Sequence, residues 1–276
     1  MKLFRLPVVL LCILFACDDS ENFPDEPFIE FKTISFSEDK FLQKIVISFS
    51  YQDGNGDIGR TLGSYNAPYH MHNAFIIAEG VVTKYPLEPE PGEQSRFSLI
   101  GNPLAAVQQV LTKRFMANNN VPGYPTYSDD SACDYYFAAE IKPANAAMMP
   151  FSEETSDGYY YDTLLIERNE NFYNLMVDFF VQEEDGSFEK FAIPEDRLAV
   201  CTFPSFFYMI LPVITGNRDY ESLQIRGNRN SGKITFDVRS LQFKNWFQNK
   251  KVKLQIQIID NALHRSNIIE TDVLQF

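Results

Sequence analysis

A two-residue alternation of apolar and polar side chains recurs along this chain and constrains its fold more than any other feature. Val252, Leu254, Ile256 and Ile258 alternate with Lys253, Gln255 and Gln257, and Ile45, Ile47, Phe49 and Tyr51 alternate with Lys44, Val46, Ser48 and Ser50. Successive side chains of a strand point to opposite faces, so this period sets one apolar face on a core and leaves the other toward solvent. Tyr173, Leu175, Val177, Phe179 and Val181 share a face in the same way. Asp185-Gly186 then predicts a hairpin turn into a return strand over Phe188 to Ile193. Shorter strands are expected at Phe28 to Phe36, Ala74 to Tyr85, Tyr135 to Ile141, Phe206 to Val213, Leu223 to Arg226, Ile234 to Val238 and Ile268 to Leu274. The 25 Phe and 14 Tyr, against one Trp, suit a pleated surface on which flat rings pack well.

One segment breaks the pattern. Asn102 as N-cap and Pro103 at the first helical position precede Leu104, Val107, Leu111 and Phe115, three or four apart, which predicts an amphipathic helix near 102–117 ended by Asn118-Asn119-Asn120. Ser240 to Phe247 reads as a short helical turn between two strands, as a Greek-key crossover needs. Many short strands with one helix predict an all-β chain of tandem antiparallel β-sandwich domains carrying an inserted helix, because a parallel sheet needs a helix between successive strands. The expected division runs 1–16 leader, 17–27 tether, 28–195 larger β domain and 203–276 Ig-like β-sandwich, with the boundary at Pro194 to Pro204.

Lys2 and Arg5 precede an apolar run from Leu6 to Ala16 that is shorter than the ~20 residues of a membrane-spanning helix, so it reads as a signal peptide. The run ends Leu14-Phe15-Ala16-Cys17, which resembles a bacterial lipobox and implies a lipid on Cys17 that anchors the chain to the outer membrane. Loss of residues 1–16 takes away two bases and no acid, leaving 22 basic against 37 acidic side chains, or −15. Such a balance disfavours nucleic acid, whose phosphates call for a basic stripe. Asp18, Asp19, Ser20 and Glu21, then Pro24, Asp25, Glu26 and Pro27, are too polar and Pro-interrupted to join a core, and read as a tether. Of the remaining thiols, Cys133 and Cys201 either pair or stay as two buried thiols.

Phe49-Ser-Tyr-Gln-Asp-Gly-Asn-Gly-Asp-Ile-Gly59 resembles the Tyr-x-Asp-Gly-Asp-Gly-Asp-Ile-Gly signature of uncharacterised Bacteroidetes surface lipoproteins, with Asn55 where Asp is usual. The C-terminal Ile258-Ile-Asp-Asn-Ala-Leu-His-Arg-Ser-Asn-Ile-Ile-Glu-Thr271 is similar to the same family. The resemblance implies a cell-surface compartment, reached through the acidic cluster after Cys17, and a β-sandwich with an Ig-like C-terminal domain. It implies no activity.

Gly54, Gly56 and Gly59 satisfy the spacing of a dinucleotide loop, yet Arg60 to Pro68 has no helical period to hold a pyrophosphate and Asp53 and Asp57 would repel it, so no nucleotide is expected. Asp53, Asn55 and Asp57 at alternate positions match the first three oxygen ligands of a calcium loop. An EF-hand also needs Gly at the sixth position and Glu at the twelfth, where this chain has Ile58 and Ser64, so the rest of such a site would come from elsewhere in the fold. The competing reading is a tight turn in which glycines supply positive φ and Asp and Asn bond their own main chain. His70 and His72 are too few for catalytic zinc without a third ligand. Tyr124 and Tyr127 beside prolines, and Tyr159-Tyr160-Tyr161, either pack in the sheets or present rings to a sugar or protein partner. These readings lead to a non-catalytic surface lipoprotein that binds a glycan or a protein, with calcium as its candidate cofactor. A lipid-anchored hydrolase working through a glycosidase-like acid pair is the alternative.

Overall fold

The computed structural model describes residues 23–39, 42–61, 67–89, 96–99, 108–122, 136–143, 146–191 and 208–276. The leader, Cys17, Tyr124, Tyr127, Cys133 and Cys201 lie outside them. The cleanest alternations each became one strand. β1 (Phe28–Asp39) and β2 (Leu42–Gln52) pair antiparallel, and Ile45, Ile47, Phe49 and Tyr51 of β2 all turn inward and are buried.

The chain then leaves for a module of its own: β3 (His72–Ala78), β4 (Val81–Pro89), β5 (Arg96–Leu99), β6 (Gln109–Val110), helix α1 (Lys113–Asn118), β7 (Tyr136–Lys142), β8 (Glu153–Glu154) and β9 (Tyr160–Arg168). It returns for β10 (Leu175–Gln182), β11 (Phe188–Lys190), β12 (Arg218–Asp219), β13 (Leu223–Gly227), β14 (Ser231–Ser240), helix α2 (Phe243–Phe247), β15 (Lys251–Ile258), β16 (Ile269–Glu270) and β17 (Leu274–Gln275). Among the described residues the result is all-β apart from short helical turns.

Two sheets face each other across one core. The first runs β1-β2-β14-β13-β12; the second runs β11-β10-β15-β16, with β17 also on β15. Leu175, Val177, Phe179 and Val181 of β10 and Val252, Leu254, Ile256 and Ile258 of β15 meet the inward side chains of β2 and β14. The hairpin expected at Asp185-Gly186 joins β10 to β11, with Gly186 at φ 88°.

The expected boundary at Pro194 to Pro204 does not separate two sandwiches. β2 pairs with β14 from Gln52↔Ser231 to Gln43↔Ser240, so strands before and after that boundary share one sheet and one core. Alternation specifies that a strand has a buried face and leaves its partner open. The separate unit is instead the segment between β2 and β10. In it β3, β4, β5, β7 and β9 pair in sequence and β9 pairs back onto β3, closing the sheet into a small barrel filled by Ala74, Ile76, Leu87, Ala139, Ile141, Leu164 and Ile166. The β5–β7 pairing is parallel and the others antiparallel.

The amphipathic segment is also corrected. Gln109 and Val110 pair with β3, and Leu111 donates its N–H to Phe75 O while its carbonyl accepts from Leu165 N. Their backbone groups are thus used by the sheet, and helix starts only at Lys113, where Thr112 Oγ1 accepts from Phe115 N at 3.1 Å. Leu111 and Phe115 still meet in one cluster on the outside of the barrel; residues 101–107 lie outside the description.

The short helix expected over Ser240 to Phe247 is α2, which carries the chain from β14 of one sheet to β15 of the other. Phe243 and Phe247 reach inward from it and stack on Phe179 at ring centroid distances of 5.8 and 5.6 Å. Phe191 and Phe276 add edge-on and tilted contacts to Phe247 at 4.8 and 5.2 Å. Aromatic pairs in such geometry add to the transfer free energy of burying each ring, about 1.5–3 kcal/mol. Phe247→Ala is expected to lower the free energy of unfolding by about 3–5 kcal/mol. Leu241→Ala, at a side chain 61% exposed, should change it by no more than about 0.5 kcal/mol in the same urea titration.

Candidate functional site

The end of β2 runs into the loop that sequence reasoning singled out. Asp53 donates its N–H to Asn230 O at 2.8 Å, and Asn230 Nδ2 returns bonds to Asp53 O and Gly54 O, each at 2.9 Å, so the β13–β14 turn grips the loop's first residues. Asp53 Oδ2 accepts from Asp57 N at 2.8 Å and Ile58 N at 3.2 Å, which curls the backbone around the carboxylate. Two glycines allow close approaches. A Cβ on Gly54 would lie 2.2 Å from Phe23 O, and one on Gly59, at φ +95°, would lie 2.1 Å from Pro212 O.

A second segment, 200 residues away in sequence, closes on this loop. Ile58 bridges to Asp260, Asn261 donates its N–H to Asp57 O at 3.3 Å, and Asn261 Nδ2 donates to Gly59 O at 2.8 Å. Carboxylate oxygens of Asp53, Asp57 and Asp260 thereby lie within 4.8 Å of one another. Asp53 and Asp260 have no exposed surface and Asp57 is half-buried. Asp260 accepts from His264 N at 2.7 Å and pairs with His264 Nδ1 at 2.9 Å.

The electrostatics follow from burial. Removal from water pushes the Asp53 carboxyl up to about 6; repulsion from Asp57 and Asp260 adds to this, and the N–H groups of Asp57 and Ile58 oppose it. Asp57 is raised by its own burial and by Asp260, with His264 opposing. The hydrogen bond and charge of Asp260 raise His264. Asp53 Oδ1 and Asp57 Oδ1 are buried with no hydrogen-bond partner. Among the described residues these three carboxylates are the group suited to a hard cation, which prefers oxygen ligands.

The structure therefore brings Asp53 and Asp57 together, as their alternate spacing suggested, and adds Asp260. Asn55 is exposed, and its Oδ1 accepts from Asp57 N at 3.2 Å. Asp260 went unnoticed as a partner because its signal sits in a separate motif; the run Ile258 to Thr271 carries it, but no spacing rule links it to residue 53.

The barrel carries the second candidate region. Alternation along β9 sends Tyr160 toward the barrel interior and leaves Tyr161 on the other side, and Tyr159, just before the strand, is half-buried. Tyr161 is 45% exposed, opposite Glu140 of β7 and Glu153 of β8. The Arg96 guanidinium lies 4.7 Å from the Tyr159 ring centroid and pairs with Glu140 at 2.6 Å and Asp157 at 3.1 Å, while Lys142 Nζ sits 5.8 Å from the same ring. Arg96 was missed because it lies in a short strand without a pattern of its own. His70 is taken up by Asn73 Oδ1 at 2.6 Å and Asn169 Nδ2 at 3.3 Å.

No protein-family model, curated protein or solved structure matches the chain.

The geometry of the loop sets its tolerance to substitution. Gly59→Ala combines a left-handed φ with a clash against main chain, and is expected to destabilise the fold by roughly 2–4 kcal/mol. Gly158→Ala shares a positive φ, +81°, but meets open space, and should cost only about 1–2 kcal/mol in the same measurement.

Proposed function

We propose that the chain is a lipid-anchored protein of the outer membrane's external face that binds a glycan through the exposed face of its barrel and catalyses no reaction. The observation that carries this reading is the Tyr159–Tyr161 face. The half-exposed Tyr161 ring lies opposite Glu140 and Glu153, and the nearby Tyr159 ring stands beside the Arg96 guanidinium and the Lys142 ammonium, all at one closed, hydrogen-bonded sheet. Sugar rings offer such a surface an apolar face to stack and hydroxyls to hydrogen-bond, and a rigid sheet holds both kinds of group in place at little entropic cost. The basic leader, the Leu14-Phe15-Ala16-Cys17 run and the acidic tether support the anchor, and the resemblance to Bacteroidetes surface lipoproteins supports the external face.

The hydrolase alternative is less well supported. Among the described residues the cluster of three carboxylates, Asp53, Asp57 and Asp260, includes two with no exposed surface, and Glu140 and Asp157 on the tyrosine face are both paired with Arg96, whereas a glycosidase pair flanks its substrate.

Three experiments test the reading. Cys17→Ser should move the protein from the membrane fraction to the soluble fraction, and protease added to intact cells should digest the wild type; protection would place it in the periplasm. On a panel of immobilised polysaccharides the wild type should be retained, and Tyr161→Ala should weaken retention roughly tenfold with unchanged melting temperature. Wild type that passes every glycan yet captures a protein from native membranes through the same tyrosine would replace the sugar with a protein partner.

A further inference from the structure

The cluster at the end of β2 contains more negative charge than its own hydrogen bonds account for. Asp53 is wholly buried, and although its Oδ2 is satisfied by two backbone N–H groups, its Oδ1 is buried and unpartnered. The Oδ1 of Asp57 is in the same condition. Buried polar atoms nearly always have a partner, and a carboxylate oxygen without one, beside two further carboxylates, lacks the positive charge that would make its burial favourable. His264 offers one hydrogen-bonded partner, to Asp260 alone.

We propose that Asp53, Asp57 and Asp260 together form a divalent-cation site of the calcium type. All three donors are hard oxygens. They come from two loops of irregular backbone, and calcium accepts six to eight oxygens in flexible geometry where magnesium demands a near-ideal octahedron. The site differs from a linear calcium loop in that its third carboxylate arrives from the far end of the chain.

The position of the site gives the ion a structural task. Gly54, inside the loop, donates its N–H to Pro24 O at 2.7 Å, so the last residues of the expected tether lie directly on the loop. Arg60, just past it, donates from Nη1 to the carbonyls of Asn171 and Phe172, where the chain returns from the barrel. Tyr69, whose ring lies 4.0 Å from the Arg60 guanidinium carbon, donates its hydroxyl to the Asn261 carbonyl next to Asp260. An ion that joins Asp53 and Asp57 to Asp260 therefore ties together the tether's entry, the sandwich and the root of the barrel. This inference is independent of the glycan reading, because it concerns the sandwich and needs no partner.

The test uses the whole mature chain with Cys17→Ser, stripped with chelator and titrated with calcium chloride. Calorimetry should show one ion per chain with a dissociation constant of about 10⁻⁴ to 10⁻³ M. The melting temperature should rise by a few degrees once free calcium exceeds that constant tenfold. Hydrogen exchange of residues 23–29 and 67–69 should slow in step. Asp53→Asn and Asp260→Asn retain an acceptor oxygen for the existing backbone N–H bonds, so both should fold. In chelator Asp53→Asn should melt at or above the wild-type temperature, since a repelling charge is gone, and neither variant should respond to calcium. Three outcomes would overturn the proposal: no heat and no melting shift in the wild type, an equal calcium response in either variant, or an equal response to magnesium.

Discussion

The pairing of β2 with β14 holds this molecule together. Residues 43–52 and 231–240 pair along ten positions, and their inward side chains, Ile45, Ile47 and Phe49 from one strand and Ile234, Phe236 and Val238 from the other, line one side of the sandwich core. Without that contact β1 and β2 would be an isolated hairpin, which is marginal in water at best. The second sheet depends on it in turn, because β10 and β15 bury their apolar faces against the surface that β2 and β14 build and against α2.

Because β1 and β2 are joined in one sandwich with the strands from β10 onward, strands β3 to β9 are an excursion from it. The barrel closes on its own pairings, with its own core, and returns within hydrogen-bonding distance of the point where it left, through Arg60, Asn171 and Phe172. Such an arrangement demands contacts of large sequence separation, so loop-closure entropy is lost before most of the burial is gained. It also concentrates loops at one end of the sandwich. The carboxylate cluster sits there because β2 stops at Gln52, β15 stops at Ile258 and the residues following both meet at the Ile58–Asp260 bridge.

The long edge strand shows how the sheet limits unwanted association. β1 is 12 residues long and, among the described residues, has no partner strand on its outer side in its own sheet. The register shifts between Phe31 and Thr33, which places a bulge at Lys32, and the Asn267 side chain bonds both Ile29 N and Ile29 O at 2.8 and 2.9 Å, standing in for a neighbouring strand. Bulges, lysines and borrowed hydrogen bonds of this kind make an edge a poor template for another chain.

The sequence alone determined the strands of clearest alternation, β2, β10 and β15, with their buried faces, and the Asp185-Gly186 hairpin, because period-two alternation and turn chemistry are local. It ran β3 and β4 together over Ala74 to Tyr85 and expected a strand over Phe206 to Val213, where the described residues form only isolated bridges at Met209 and Pro212. It likewise marked Asp53, Asn55 and Asp57 as one candidate site through their alternate spacing, of which the structure brings Asp53 and Asp57 together and leaves Asn55 exposed. The partner of β2, the closure of the barrel and the arrival of Asp260 beside Asp53 were decided only by the tertiary structure. The same held for the switch of Gln109 to Thr112 from helix to sheet: Leu111 and Phe115 satisfy a helical spacing, but the open backbone groups of β3 and β9 claimed the residues before Lys113. These outcomes depend on which of several equally apolar surfaces is best covered, a competition among segments far apart in the chain that no local pattern records.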